Sequence, residues 1–258
     1  MTMQLKTKED IEIMREGGKR HAEILRVLSE MVSPGVSTFI LEEEALRLIK
    51  EGGDKPAFLG YQPRGADRPF PAALCISIND EIVHGIPNEV ERILRDGDII
   101  SIDLGLIHKG LITDSAVTVP VGAIDDESRN LLEFTEKALM AGIRAAEPGN
   151  TIGDIGAAIS DVASKTSFSL AKDLAGHGVG FSVHEEPLVP NTGKKGKGEK
   201  LVPGMVLAIE PMLNVGKGDI KVTSDGYTIK TRDGSRSAHF EHTIAITEKG
   251  NIILTSNN

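Results

Sequence analysis

Apolar positions in the first fifty residues fall at helical steps. Ile11, Met14, Gly18, Ala22, Leu25, Leu28 and Val32 recur every three or four residues, which sets them on one face of a long helix. Ser33-Pro34-Gly35 ends it, and Leu41, Ala45, Leu48 and Ile49 mark a second helix stopped by Gly52-Gly53. The pattern then changes to β-rich runs: Ala73 to Ile78, Asp98 to Leu104, and Ala116 to Val121. Helical spacing returns at Leu132, Thr135, Leu139, Gly142 and Ala146, and Pro148-Gly149 closes it. Thr151 with Asp154 has the form of a helix N-cap pair, and Ile152, Ile155, Ile159 and Val162 supply a fourth helical face. Residues 201–212 and 240–255 read as strands.

The order repeats: helix, Pro-Gly, helix, then strands. Gly97 lies six residues before Asp103, and Gly204 lies six before Glu210; each interval is an apolar run ending in a carboxylate. The expectation is a single domain over 1–258 made of two related halves, about 8–122 and 125–250. Coincidence is the alternative, because helix-turn-helix pieces and strands that begin at glycine are common. Residues 62–71 and 191–200 are the long loops.

Composition narrows this picture. At 258 residues the chain is long enough to bury one large core. Aromatics make up 3% and Trp is absent, so that core is aliphatic. The net charge is -9, and the one basic run, Lys194-Lys195-Gly196-Lys197, sits in a glycine-rich loop, which argues against a nucleic-acid surface. The single Cys75 forms no internal disulfide and supports no cysteine-rich zinc extension. The sequence has no signal-peptide pattern and no long apolar run; the reading is a reducing cytoplasm and no membrane span.

The candidate chemistry lies in Asp103, Asp114, His177, Glu210 and Glu241. Asp103 follows Ile99-Ile100-Ser101-Ile102, Glu210 follows Val206-Leu207-Ala208-Ile209, His177 lies between Gly176 and Gly178, and Glu241 sits in Phe240-Glu241-His242-Thr243. Burying a carboxylate costs several kcal/mol unless a countercharge or a metal compensates. Four carboxylates and one imidazole at one point would repel, and two divalent cations would neutralise them. Oxygen ligands with one nitrogen suit Mn, Fe, Co or Zn, and ligand type does not choose among these. A strand that ends in a carboxylate presents it from a rigid element. Glycines around His177 would let the backbone crowd close to a metal. Taken singly, each residue has a plainer reading: an Asp at a strand end is usually a cap, and Gly-His-Gly is usually a loop.

Order and context together carry more. Cys75-Ile76-Ser77-Ile78-Asn79 with Val83-His84-Gly85-Ile86-Pro87, Asp98 to Asp103, Thr113-Asp114, Gly176 to Gly180 with His184-Glu185-Glu186-Pro187, Pro203-Gly204-Met205 with Ile209-Glu210-Pro211-Met212, and Glu241-His242-Thr243 resemble the methionine aminopeptidases of the bacterial, type I kind. The resemblance runs from about Ile11 to Thr255. It implies an α+β fold of the pseudo-twofold "pita-bread" type, with curved antiparallel sheets around a central site and helices outside. It implies Asp114 and Glu241 as bridges between two metals, Asp103 completing one ion, and His177 with Glu210 the other. A metal-bridged hydroxide would attack the first peptide carbonyl, with Glu210 as proton shuttle. His84 would contact the substrate's backbone nitrogen and His184 would stabilise the oxyanion. His242, beside a ligand on a strand, would point to the opposite face and is read as structural.

The methionine slot is read less directly. Phe58, Tyr61, Phe70, Cys75 and Tyr227 are candidates, of which Tyr61, Cys75 and Tyr227 match best. The chain departs from the family at the Pro-rich 62–71 loop, at Val183 where an aromatic is usual, and at Tyr227 where Trp is common. Implied partners are nascent polypeptide N-termini, with the ribosome that presents them as a further candidate; a monomer is expected. One rival reading is an X-Pro peptidase such as prolidase or aminopeptidase P, which shares the fold and ligands and is favoured by Val183. Such enzymes carry an extra N-terminal domain, and only about ten residues precede the first helix here. The other rival is a non-catalytic binding protein on the same scaffold, for which lost ligands would be expected.

Overall fold

The computed structural model describes residues 3–257. The chain opens with α1 (Lys8–Met31) and α2 (Thr38–Glu51), followed by β1 (Lys55–Pro56), β2 (Leu74–Ile78), β3 (Glu81–Val83), β4 (Ile99–His108) and β5 (Leu111–Pro120). A second pair of helices, α3 (Asp126–Ala145) and α4 (Ile152–Ala163), comes next. Then follow β6 (Ser169–Leu170), β7 (Ala175–Gly178), β8 (Glu185–Pro190), β9 (Val206–Ile209), β10 (Met212–Asn214), β11 (Ile220–Val222), β12 (Ile229–Thr231), β13 (Ser237–His239), β14 (His242–Thr247) and β15 (Gly250–Ile253). Helix, helix, strands therefore occurs twice, as the sequence pattern leads one to expect.

Helix starts follow local chemistry. The Thr7 amide donates to Asp10 Oδ2 at 2.8 Å ahead of α1, and the Thr151 amide donates to Asp154 Oδ2 at 2.9 Å ahead of α4. Two strands extend further than their apolar runs suggest. β4 continues to His108 and β5 begins at Leu111, joined by Lys109 and Gly110, both at positive φ (49° and 88°). Positive φ at both central residues is the geometry of a tight hairpin. Asp103 is thus in the middle of a ten-residue strand and not at its end. Conversely, 201–212 and 240–255 are not single strands. Glu210-Pro211 separates β9 from β10, and Glu248-Lys249 turns β14 into β15.

Two antiparallel sheets frame the molecule. β4 pairs with β5 along its whole length, and its other edge takes β2 and β1. The second sheet runs β15-β14-β9-β7-β8. Strand alternation decides what each face carries. On β4, Ile100, Ile102, Leu104 and Leu106 pack against Ile24, Leu25, Leu28, Leu41 and Ile49 of α1 and α2. Ser101, Asp103 and Gly105 are left for the opposite face. On β9 and β14, Leu207, Ile209, Ile244 and Ile246 pack with Leu139, Ile143, Ile155 and Ile159 of α3 and α4. Each such fully buried aliphatic contributes about 1.5–3 kcal/mol, and the helices are thereby fixed outside and the inner faces reserved for the site.

The sheets meet at a seam made largely by hydroxyls. The Asp114 amide donates to Thr243 Oγ1 (2.8 Å), and the Thr243 hydroxyl donates to the Asp114 carbonyl (2.7 Å). Ser115 Oγ donates to the Glu241 carbonyl (2.7 Å), and the Glu241 amide donates to the Ala116 carbonyl (2.9 Å). Thr118 Oγ1 donates to the His239 carbonyl and accepts from the His239 amide (2.7 and 2.9 Å). Residues 114–118 and 239–243 are thereby locked side by side.

Candidate metal centre

The seam places Asp114 and Glu241 next to each other in one cavity. Asp103 enters from the neighbouring strand, since Asp103 pairs with Ala116 and Asp114 with Gly105 in the β4–β5 ladder. His177 and Glu210 come from β7 and from the end of β9, where Glu210 does follow the strand's last residue. All five line the same cavity, together with His84, His184, Tyr61, Cys75 and Tyr227. Asp114, His177 and Glu241 offer ligand atoms within 4.8 Å of one another. His177 Nε2 lies 3.4 Å from Glu210 Oε1 and 4.0 Å from Asp114 Oδ2.

Gly176 and Gly178 make room for the strands on either side of β7. A Cβ at Gly176 would stand 2.3 Å from the Ala208 carbonyl oxygen, and one at Gly178 2.4 Å from that of Glu186. The glycines let the strands flanking β7 close in, and the imidazole is positioned as a result. Gly105 acts similarly: a Cβ there would lie 2.6 Å from the Phe58 ring, so its absence admits Phe58 beside the site.

The electrostatics call for cations. Asp103 Oδ1, Asp114 Oδ1 and Glu241 Oε1 are buried and have no hydrogen-bond partner among the described residues. Burial pushes Asp103 up to about 7 and Glu210 up to about 8, and burial together with neighbouring carboxylates pushes Asp114 and Glu241 well above the usual range. Burial holds His177 down at about 3, so its imidazole is neutral and free to ligate. Orphaned carboxylate oxygens around a neutral imidazole fit divalent metal ions; among the described residues no Lys or Arg side chain lies within salt-bridge distance of these carboxylates.

Two histidines stand at the rim. His184 packs edge-on to His177 with ring centroids 4.4 Å apart, and its Nδ1 is 2.8 Å from the Tyr61 hydroxyl. His84 has φ 60°, a left-handed turn conformation that turns its ring into the cavity. Burial, with His184 and His239 close by, lowers it to about 4. His242 lies away from this cavity, its Nδ1 2.9 Å from Thr255 Oγ1.

Beyond the carboxylates the cavity turns apolar, lined by Phe58, Tyr61, Phe70, Cys75, Val183 and Tyr227. The 62–71 loop is folded onto this end. The Phe70 amide donates to the Tyr61 carbonyl at 2.8 Å, Pro63 joins the lining, and the Tyr227 hydroxyl donates to the Arg68 carbonyl. Phe70 and Tyr227 meet edge to face at 5.1 Å.

Two features escape a reading of the sequence alone. His239 lines the cavity with its Nε2 3.5 Å from Glu210 Oε2 and 3.9 Å from Glu241 Oε2. Its spacing of two residues from Glu241, in strand-like sequence, is the signal that would have found it. Lys6, near the start of the chain, forms a buried ion pair with Glu185, and Glu185 Oε1 accepts from the Phe181 and Ser182 amides (2.6 and 3.0 Å). That ties the turn leading into Val183 and His184. No local pattern announces a contact between residues so far apart.

Comparison with known proteins agrees with this geometry. Residues 12–248 match the model of metallopeptidase family M24. The methionine aminopeptidase of Aquifex aeolicus is 48% identical over 257 residues, covering 99% of both chains. The crystal structure of methionine aminopeptidase from Thermotoga maritima superposes with a TM-score of 0.94 at 40% identity, covering 99% of this chain and 100% of that one. The prolidase of Pyrococcus horikoshii superposes with a TM-score of 0.73 at 22% identity and is covered over 64% of its length, a likeness of fold alone. With its antiparallel sheets, outer helices and cavity of buried acidic side chains, the chain belongs to metallopeptidase family M24 and, within it, to the methionine aminopeptidases.

Proposed function

We propose that this chain removes the N-terminal methionine from polypeptides with a small second residue. The observation that supports it most is the junction of two environments in one cavity: buried carboxylate oxygens without partners among the described residues, adjoining an apolar slot. In this reading Asp103, Asp114, His177, Glu210 and Glu241 would hold two divalent ions, with Asp114 and Glu241 shared between them, Asp103 serving one and His177 with Glu210 the other. When bound, the ions supply Lewis-acid polarisation and lower the pKa of water.

The chain's own residues do the rest. Phe58, Tyr61, Phe70, Cys75 and Tyr227 exclude water from around an unbranched thioether, read mainly by shape. His84 meets the substrate's first peptide nitrogen. His184, steadied by the Tyr61 hydroxyl, donates to the oxygen that gains charge as the carbonyl is attacked. Glu210 accepts the proton released by the nucleophile and passes it to the departing amine. The same reading treats the chain as a single catalytic domain of two related halves, about 8–122 and 125–250, acting in the cytoplasm as a monomer on nascent chains. No helix among the described residues is long and apolar enough to cross a membrane. All five ligand residues are present, which leaves the non-catalytic reading without support.

The test is a peptide panel with Mn, Fe, Co and Zn supplied in turn. Met-initiated peptides should be cleaved fastest, norleucine should partly replace methionine, and N-acetylated peptides and X-Pro peptides whose first residue is not Met should resist. Val183 is small for its place in the slot, so V183F should sharpen the preference for Met over Phe by about 1–3 kcal/mol, the worth of one pocket contact. Faster cleavage of Leu-, Phe- or X-Pro-initiated peptides than of Met-initiated ones would overturn the assignment.

A further inference from the structure

His239 is the one histidine of the cavity that the metal-site reading leaves without a role. It is 2% exposed, and neither ring nitrogen has a hydrogen-bond partner among the described residues. An imidazole buried and unpaired in this way is costly unless something engages it. Its backbone is pinned on both sides: Thr118 Oγ1 bonds its amide and carbonyl, and β13 pairs His239 with Met212 of β10. What the ring faces is Glu210 Oε2 at 3.5 Å and Glu241 Oε2 at 3.9 Å.

Glu210 therefore lies between two imidazoles. His177 Nε2 stands 3.4 Å from Oε1, and His239 Nε2 stands 3.5 Å from Oε2. The two histidines are not equivalent. His177 brings a ligand atom within 4.8 Å of those of Asp114 and Glu241, whereas the group that converges so closely does not include His239. We infer that His239 is a positioning residue: its Nε2–H donates to Glu210 Oε2, fixing the carboxylate so that Oε1 faces the ion shared with His177. A shift of well under 1 Å brings the pair from 3.5 Å to the usual N–H···O distance of about 2.9 Å. Carboxylates that ligate metals are commonly held by such a hydrogen bond, and losing it costs about 10–100-fold in metal affinity. The inference rests on the reading of Glu210 and His177 as ligands.

The test measures metal binding rather than turnover. Chelator-stripped wild type, H239A and H239Q are titrated with Mn(II) by calorimetry, with folding checked by circular dichroism. If alanine does not fold, H239L serves as the variant without a donor. The expected result is a loss of about 10–100-fold in affinity at one of two sites in H239A. H239Q, whose side-chain amide restores a donor, should return to within about threefold of wild type, a margin small beside that loss. Pulsed EPR of the Mn-loaded protein should show the same directly coordinated nitrogen signal in wild type and H239A, because His177 supplies it in both. Wild-type affinity in H239A, or equal losses in H239A and H239Q, overturns the positioning role. Loss of a coordinated nitrogen in H239A overturns it in favour of a ligand. A wild type that binds no Mn(II) overturns the metal-site reading itself, a result distinct from all of these.

Discussion

Glu42 and Asp114 are both buried carboxylates, one in the outer helix–sheet layer and the other at the seam between the sheets. Glu42 Oε1 and Oε2 accept the amides of Ala73 and Leu74, at 2.7 and 2.9 Å. It closes the edge of β2 from its place on α2, so its burial is matched by bonds that fix structure. Asp114 Oδ1, like Asp103 Oδ1 and Glu241 Oε1, has none. The outer layer uses its buried carboxylate to hold itself together, and the cavity leaves its carboxylate oxygens without donors among the described residues. A buried acid thus marks a site only once its donors have been counted.

The comparison is broken most directly by exchanging the two kinds of loss. Asp114→Asn should abolish peptidase activity, because the amide cannot bridge cations, while the Tm of the chelated protein rises since an amide can be buried without the cost of taking up a proton. Glu42→Ala should do the reverse: activity per folded molecule stays, and stability falls by about 1–3 kcal/mol for each amide left without an acceptor. Thermal melts and steady-state rates of the two variants, run together, decide it. Full activity in Asp114→Asn would sink the site as drawn.

A smaller effect tests the rim. His84→Ala and His184→Ala should each retain metal and lose about 10²–10³-fold in kcat, the usual worth of a transition-state hydrogen bond. A variant that loses metal and regains its rate when metal is resupplied would make that histidine a ligand instead.

The smallest effect sharpens the contrast through pH. Asp103 at about 7 and Glu210 at about 8 lie above their ordinary values in the folded, metal-free chain, chiefly through burial. The folded state then holds protons that the unfolded state has released, so stability falls as pH rises through these values. The buried histidines, such as His177 at about 3, are shifted the opposite way and lose stability only below their ordinary value of 6.5. Between pH 6.5 and about 8 the carboxylates act alone, and the Tm of the chelated protein should drop across that window. Saturating Mn(II) should flatten the slope, because the ions replace the protons. A slope equal in both samples would mean that the cavity carboxylates are not the groups responsible.

How much was legible from residues alone depended on how local the cause was. The four helices follow from apolar spacing and from caps such as Thr151 with Asp154, all within a few residues. Alternation along Ile99 to His108 separates the face of Ile100 and Ile102 from that of Asp103, although it hid where the strand stops. The fold class and family came from the ordered motifs, and the comparisons bear both out. His239 is within reach of the same alternation, two residues from Glu241, whereas the adjacent His242 falls on the opposite face. The 62–71 loop was not legible as a wall of the slot: its shape depends on the Tyr227 hydroxyl, supplied from more than 150 residues away. The role of Gly176 and Gly178 depends on carbonyls of strands whose register the sequence does not state.

The Lys6–Glu185 pair has a practical consequence for anyone handling this protein. The residues ahead of α1 look like a dispensable tail, the customary place for a purification tag or a trimmed boundary. Yet the Lys6 amide donates to the Gly204 carbonyl at 2.8 Å, and its ammonium is the countercharge for a buried carboxylate. A cut placed after Lys6 strands Glu185, and the disturbance passes through the Phe181 and Ser182 amides to the turn carrying His184. Cloning boundaries drawn for convenience at this terminus would be felt as a change in turnover.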